Sequence, residues 1–199
     1  MDTEIEAKFL DIDLEGLRTK LNKIDAKLVH CEFLMKSKTF DFPDKSMEKI
    51  GAWIRVRNEH SKITLSYKCL LDRTLHGTKE ATLIINDFDQ TCNFLLLLGL
   101  ELVSFHETKR EMWKYKNSEI TIDTWPWIPS FVEIESPTED ELKEITNILG
   151  FNWSLALHGS VEIVYQRHFD VTEAEVDNWE TITFIPVPKW LEDKRIKSE

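Results

Sequence analysis

Apolar and polar residues alternate with a period of two along eight stretches of the chain, and this pattern predicts β-strands. Successive side chains of a strand point to opposite faces, so each stretch has one apolar and one polar face. Many strands and few helices favour an α+β fold with a mostly antiparallel sheet. The predicted strands cover residues 4–10, 33–42, 51–59, 63–71, 80–87, 102–116, 119–125 and 130–136.

Four helices are predicted where apolar residues recur three or four positions apart. Asp13 and Asp87 are predicted to cap the first two helices, because a carboxylate can accept a hydrogen bond from the first-turn amides. Ser136 followed by Pro137 is typical of a helix start and predicts the third. The fourth is predicted to cover 159–168.

The last thirty residues differ in character from the rest of the chain. They contain an acidic stretch, a short strand pattern "ETITF" and the segment "PVPKWLEDKRIKSE", which predicts a terminal helix started by proline. We therefore predict one main domain at 1–169 and an extension at 170–199 that packs on the sheet or covers its end.

Composition restricts the possible partners. The chain has 199 residues, 42% of them hydrophobic, which suffices for a single core. Its net charge of −11 disfavours nucleic acid, because phosphate attraction requires a basic surface. Three cysteines without metal spacing indicate free thiols and a cytoplasmic protein. The acidic start predicts no signal peptide, and the longest apolar run, 94–98, predicts no membrane span.

The polar faces of the predicted strands carry charges that are segregated by sign. A solvent-exposed sheet face would explain any one strand, but not this segregation. If helices cover the apolar face, a curled sheet places the charges inside a barrel. Basic side chains on one wall would suit phosphates, and clustered carboxylates would suit Mg²⁺ or Mn²⁺. The segregated groups are Arg55, Arg57 and Lys68 against Glu133 and Glu135, with Glu4, Glu6 and Lys8 mixing both signs.

Six short motifs then follow in order between residues 4 and 135: EIEAK, WIRVR, SYK, KRE, ITID and FVEIE. In this order they resemble the signature of the CYTH superfamily, also called triphosphate tunnel metalloenzymes. Class IV adenylyl cyclases, thiamine triphosphatases and inorganic triphosphatases belong to that superfamily. The resemblance implies an eight-stranded antiparallel tunnel and chemistry on a triphosphate that depends on Mg²⁺ or Mn²⁺.

The resemblance also assigns roles to individual residues. Glu80 is a weaker candidate for the tunnel interior, whereas Lys109 is predicted on the opposite face from Arg110. The implied metal ligands are Glu4, Glu6, Asp123, Glu133 and Glu135. The implied phosphate-binding residues are Lys8, Arg55, Arg57, Lys68 and Arg110. The implied catalytic residues are Lys8, Arg57, Lys68 and Glu135.

Three functions stay open at this point. Hydrolysis of an inorganic, thiamine or nucleoside triphosphate is favoured, because Lys109 leaves the basic wall one cation short and no nucleoside-specific motif is present. The second is a cyclase that makes cyclic AMP from ATP. The third is a module that binds polyphosphate or nucleotide without turnover. The expected partner is a small triphosphate, and the chain is expected to be a monomer or a homodimer.

The histidines and tryptophans are assigned structural roles. No HxH or HxxxH pair occurs, and the scattered histidines, including His106, are predicted as surface or core residues. Trp113, Trp125 and Trp127 are predicted to pack in the core or to shield the tunnel mouth rather than to stack on a substrate ring.

Overall fold

A curled β-sheet forms the body of the protein in the computed structural model, which describes residues 1–197. Its strands are β1 (Asp2–Thr3), β2 (Glu6–Phe9), β3 (Lys27–Asp41), β4 (Ala52–Glu59), β5 (Lys62–Leu70), β6 (Thr78–Ile85), β7 (Glu101–Tyr115), β8 (Ser118–Thr124), β9 (Phe131–Glu135) and β10 (Thr181–Ile182). The helices are α1 (Leu14–Lys23), α2 (Phe88–Leu97), α3 (Glu139–Leu149), α4 (Glu162–His168), α5 (Glu173–Asp177) and α6 (Lys189–Glu192). Two single 3₁₀ turns lie at Glu48–Ile50 and Trp153–Leu155.

The opening segment of the chain joins the two ends of the sheet. The strand order is β1-β6-β5-β4-β3-β7-β8-β9-β2, so β1 and β2 lie at opposite ends although only Glu4 and Ile5 separate them. The Glu4 amide donates to the Thr78 carbonyl at 3.1 Å, and the Ser136 amide donates to the Ile5 carbonyl at 3.0 Å. Counting β1 and β2 as one strand, the sheet is the predicted eight-stranded antiparallel tunnel.

Helices cover the apolar outer face of the sheet, as predicted. Leu17 and Leu21 of α1 and Leu142 of α3 are buried against strand residues such as Ile120 and Ile134. Full burial of each such side chain contributes about 1.5–3 kcal/mol, so this layer fixes which face of the sheet is turned outward. The charged face is thereby left to the interior. A second cluster packs α2 against the sheet. It consists of Phe40, Val56, Cys92, Leu95 and Leu100.

Of the first three predicted helix starts, two are confirmed and one is wrong. Asp13 accepts a hydrogen bond from the Gly16 amide, and Asp87 accepts one from the Gln90 amide. The third helix begins two residues later than predicted, because Thr138 is its cap. Ser136 is buried and its hydroxyl accepts a hydrogen bond from Ser118, so it belongs to the sheet.

Two other elements of the main domain start three or more residues away from the predicted position. β3 starts at Lys27 rather than at residue 33, because register shifts between Leu28 and His30 and between His30 and Phe33 break the alternation. α4 starts at Glu162, three residues after the predicted start.

The extension packs against the sheet and α4. β10 pairs with Phe105 and His106 of β7, and it is the only parallel strand among those described. The predicted terminal helix is limited to α6, and the last two residues of that prediction lie outside the described residues. The shared core contains Tyr165, Phe169, Val176, Ile182 and Leu191.

No helix among the described residues is both long enough and apolar enough to cross a membrane. Of the three cysteines, Cys69 and Cys92 are buried and Cys31 is exposed, and all three are free thiols.

Candidate functional site

All the side chains that the sequence assigned to the site line one cavity of about 680 Å³ inside the curled sheet. They reach it because they occupy alternate positions on the inner face of each strand. The volume lies in the range typical of small-ligand sites. The cavity-lining members of the predicted set are Glu4, Glu6, Lys8, Arg55, Arg57, Lys68, Glu80, Arg110, Asp123, Glu133 and Glu135.

The two arginines of β4 form the centre of a basic wall. Arg57 pairs in register with Ser37 of β3 and Thr64 of β5. Arg55 lies in the next inward row, between Thr39 and Ser66. Each guanidinium group is thus flanked by hydroxyl side chains instead of carboxylates, which leaves its N–H groups available to another acceptor.

Neither arginine donates a hydrogen bond to a carboxylate of the described residues, although Glu59 lies two positions from Arg57 on the same face of β4 and its charge acts on Arg57. In the part of the chain that the structure describes, no carboxylate oxygen lies within 4.0 Å of Arg57, and Arg55 Nη2 lies 3.9 Å from Glu80 Oε1. Burial and the neighbouring Arg55 lower the pKa of Arg57 to about 9. The Nε of Arg55 is buried without a hydrogen-bond partner. Unsatisfied buried donors are costly, so this wall is organised for an anion.

Lys8, by contrast, lies between two carboxylates. Its Nζ lies 2.5 Å from Glu6 Oε1 and 2.9 Å from Glu133 Oε2. These partners raise the pKa of Lys8 despite the opposing effect of burial. Lys8 and Glu133 stabilise each other's charged form, and despite burial Lys8 and then Arg110 lower the pKa of Glu133 to about 2.

Arg110 and Lys68 are paired in the same way. Arg110 forms a bidentate pair with Asp123 at 2.6 and 2.7 Å and lies 3.3 Å from Glu133. Lys68 Nζ lies 2.8 Å from Glu4 Oε1 and 3.4 Å from Glu80 Oε2. These three cations therefore neutralise the acidic side of the cavity, and a bound phosphate would have to share them with carboxylates.

A row of carboxylates crosses three neighbouring strands opposite the basic wall. Glu135 of β9 pairs in register with Glu6 of β2 on one side and Glu119 of β8 on the other. Enclosure in the cavity, followed by repulsion from Glu133 and Glu6, raises the pKa of Glu135 to about 7. Like charges in one row repel unless a cation lies among them.

This donor set fits a hard divalent cation by its chemistry, because it offers only carboxylate oxygens. Glu6 and Glu119 of the row have Lys8 and Lys114 as ion-pair partners, whereas Glu135 has none among the described residues, and burial and like charges raise its pKa. Within residues 1–197, no three His, Cys, Asp or Glu side chains are already gathered around one point. The ion pairs of Lys8 and Lys68 hold several of these carboxylates, so metal binding would require them to exchange partners.

The extension and α4 form an end wall of the cavity. This end wall is defined by Glu162 of α4, Val176 and Asp177 of α5, and Ile182 of β10, which all line the cavity. Burial and the adjacent Glu162 raise the pKa of Asp177. Arg73, in the loop after β5, forms an ion pair with Glu173 and thereby ties α5 to the sheet.

The structure places Lys109 where the sequence predicts it, but it places His106 elsewhere. Lys109 is confirmed outside the cavity, where it lies 3.2 Å from Glu32. Trp125 lines the cavity and Trp113 is buried in the core. His106 is the clear error, because it lines the cavity instead of lying in the core or on the surface. Its even spacing from Arg110 on β7 was the signal that could have identified it.

Comparison with solved structures agrees with this architecture. A candidate adenylate cyclase from Vibrio parahaemolyticus is similar with a TM-score of 0.71 and 14% identity, over 83% of this chain and 98% of that one. A conserved protein of unassigned function from Pyrococcus furiosus gives a TM-score of 0.62 and 23% identity, over 77% and 94%. A candidate adenylyl cyclase from Hippeastrum, described as having a dominant triphosphatase activity, gives 0.55 and 12%, over 84% and 96%. These identities establish similarity of fold alone.

No curated protein matches the sequence significantly. The family model for the CYTH domain matches residues 2–156, which include every strand of the closed tunnel and all the charged side chains of its two walls. With the tunnel, its inward charges and this match in agreement, the chain belongs to the CYTH domain family.

Proposed function

We propose that this chain is a divalent-metal-dependent phosphohydrolase that binds a triphosphate in its tunnel and releases phosphate from it. The single observation that carries the proposal is the segregation of charge across one cavity. Arg55 and Arg57, which donate no hydrogen bond to a carboxylate of the described residues, face the cavity whose other wall carries the row of Glu6, Glu135 and Glu119. A polyanion and a cation together satisfy both walls, and neither does so alone.

The arginines would bind and orient the phosphate chain. A guanidinium group donates two parallel hydrogen bonds to phosphate oxygens, and Arg55 and Arg57 are held in place by the strand that carries them. Such fixed charges stabilise the negative charge of the transition state without reorganisation. Lys8, Lys68 and Arg110 would contact phosphate oxygens from the acidic side while keeping contact with their carboxylates.

The carboxylates that would hold Mg²⁺ or Mn²⁺ are Glu4, Glu6, Asp123, Glu133 and Glu135. When bound, the ion screens phosphate charge and lowers the pKa of a water molecule that can attack phosphorus. Of the implied catalytic residues, Lys8, Arg57 and Lys68 act by binding phosphate, whereas Glu135 acts by supplying a carboxylate whose charge is otherwise uncompensated.

Hydrolysis is favoured over cyclisation by the small number of cations in the basic wall. Lys109 lies outside the cavity, so the wall has fewer cations to hold a nucleoside triphosphate at its α-phosphorus. The activity described for the Hippeastrum neighbour is compatible with this choice, although the similarity is one of fold.

The test is a phosphate-release screen of the full chain with inorganic tripolyphosphate, thiamine triphosphate and ATP. Each substrate is assayed with Mg²⁺, with Mn²⁺ and with EDTA, and the ATP reactions are also analysed for cyclic AMP. We expect metal-dependent phosphate release from at least one substrate and none in EDTA.

Two variants complete the screen. Glu133→Gln should abolish release, because it removes a carboxylate proposed to hold the metal and takes from Lys8 and from Arg110 one of their two carboxylate partners. Lys109→Gln, which changes a cation of the same strand outside the cavity, should retain full activity. Cyclic AMP as the main product would replace the proposal with the cyclase, and tight binding without turnover would replace it with a binding module.

A further inference from the structure

His106 occupies a position in the basic wall that the proposed chemistry does not yet use. It lies on the inner face of β7, two residues from Ser104 and four from Arg110, and all three line the cavity. Its register partner on β3 is Ser37, and Ser37 pairs in turn with Arg57. The imidazole of His106 therefore belongs to the same row of side chains as Arg57.

The imidazole is surrounded by cations, hydroxyls and apolar groups. The charged groups that act on it are Arg57 and Arg55 of β4, while Ile182 of β10 pairs beside it and its ring lies 5.6 Å from that of Trp125. Over the described part of the chain, the His106 ring makes no side-chain hydrogen bond and no ion pair. Asp41 of β3 and Glu59 of β4 also line the cavity, but neither is among the charges that shift the pKa of the ring.

These surroundings make the ring neutral in the absence of an anion. Burial, and then the positive charges of Arg57 and Arg55, lower the pKa of His106 to about 4. A phosphate chain bound to the same arginines would reverse the sign of the local field. An opposite charge within about 4–6 Å favours the protonated imidazole, which then donates from both ring nitrogens.

We propose that His106 is a phosphate-binding residue of the tunnel, neutral in the free chain and protonated when a phosphate chain lies against Arg55 and Arg57. This inference rests on the proposed function only in placing the phosphate chain in the cavity, and it does not require turnover. Binding of the phosphate chain would then be accompanied by the uptake of a proton at His106. Phosphate affinity should then increase as the pH falls, over the range in which the free ring is neutral and the bound ring is charged.

The experiment is isothermal titration calorimetry of the full chain with inorganic tripolyphosphate in EDTA, which prevents metal-dependent turnover. Titrations in two buffers of different ionisation enthalpy give the number of protons taken up. Because tripolyphosphate itself titrates, the informative quantity is the difference between the wild type and His106→Gln. His76→Gln, which changes an exposed histidine outside the cavity, is the matched control.

We expect the wild type to take up as much as about one proton more than His106→Gln near pH 6. If binding raises the pKa of the ring to about 7, the wild type should bind about tenfold more tightly than the variant at about pH 6 and about equally at about pH 8. His76→Gln should behave as the wild type at both values.

Equal proton uptake by the wild type and His106→Gln would overturn the inference, as would absence of tripolyphosphate binding to the wild type. If the variant does not fold, the imidazole carbon resonances of the wild type report the same event, because they shift to imidazolium values on binding. Binding with His106-dependent proton uptake but without phosphate release in Mg²⁺ or Mn²⁺ would refute the proposed hydrolysis and leave this inference standing.

Discussion

Arg55 and Arg57 project from alternate positions of β4 into the same cavity, and the charge of Arg55 helps to lower the pKa of Arg57 to about 9. Two like charges on one wall destabilise the folded chain unless an anion lies between them. The chain therefore sacrifices some stability at this point, which is common where a binding site requires a preformed charge.

Arg57→Gln should separate the effect of Arg57 on phosphate release from its effect on stability. Phosphate release should fall by at least about 100-fold, because a fixed donor to the phosphates is lost. The melting temperature should stay the same or rise, since the repulsion is removed. Both are measured on one preparation, with Lys109→Gln as the control that loses a cation outside the cavity. Full turnover in Arg57→Gln would contradict the assignment of the basic wall.

Glu135→Gln tests the carboxylate row on the opposite side of the cavity. It removes one of the carboxylates in the row with Glu6 and Glu119, so in EDTA the variant should melt at a higher temperature than the wild type. Mn²⁺ should raise the melting temperature of the wild type more than that of the variant, because bound ligand stabilises the folded state in proportion to its affinity. An equal shift in both proteins would exclude Glu135 from the metal site.

The pair of Glu111 and Arg18 predicts a pH dependence of stability outside the cavity. Glu111 of β7 is buried, accepts hydrogen bonds at 2.8 and 3.1 Å from Arg18 of α1, and accepts another at 2.7 Å from Trp113 Nε1. Despite burial, hydrogen bonds from Arg18 and Trp113 lower the pKa of Glu111 below its ordinary 4.5. The ionised form is therefore favoured by folding.

Glu111→Gln should lower the free energy of unfolding by about 1–3 kcal/mol at neutral pH. Since the folded pKa is depressed, this contribution is present above 4.5 and is lost as the pH falls through the folded value. Urea titrations at about pH 7 and about pH 3 should show the difference shrinking at acid pH. Glu144→Gln, in an exposed pair with Lys116, should change stability little at either pH.

The end wall predicts a limit on the length of the phosphate chain. Glu162 and Asp177 line the cavity at the end wall, and the negative charge that this pair of neighbouring carboxyl groups carries should repel the fourth phosphate of a longer chain. Glu162→Gln with Asp177→Asn should raise kcat/KM for tetrapolyphosphate relative to tripolyphosphate by about tenfold. Asp140→Asn with Glu144→Gln changes the same number of carboxyl groups on the exposed face of α3 and should leave the ratio unchanged. An unchanged ratio in the first pair would mean that the wall does not limit length.

Much of the fold could be predicted because it depends on local patterns. The alternation along β4, β5 and β9 determines which residues face the cavity. The sequence alone therefore predicts that Arg57, Lys68 and Glu135 point into it. The caps at Asp13 and Asp87 are equally local.

The errors arise where tertiary contacts override the local signal. Ser136 has the chemistry of a helix cap, but Ser118 of the adjacent strand engages its hydroxyl. The register shifts near His30 break the period in β3. His106 was assigned as an isolated histidine, although its parity with Arg110 indicated the cavity. The partnership of Lys8 with Glu133 could not be predicted either, since it depends on the pairing of β2 with β9.

The interruption at Glu4 and Ile5 has a consequence for how the chain folds. The first nine residues are synthesised before any of their partners, and β2 must wait for β9, which lies more than a hundred residues later. Contacts of such long sequence separation form slowly, and until they form, the edges of β6 and β9 are exposed to other chains. Because Glu4, Glu6 and Lys8 belong to this segment, its pairing with β6 and β9 also brings three charged groups into the cavity. An incompletely folded molecule would therefore be unable to bind its ligand.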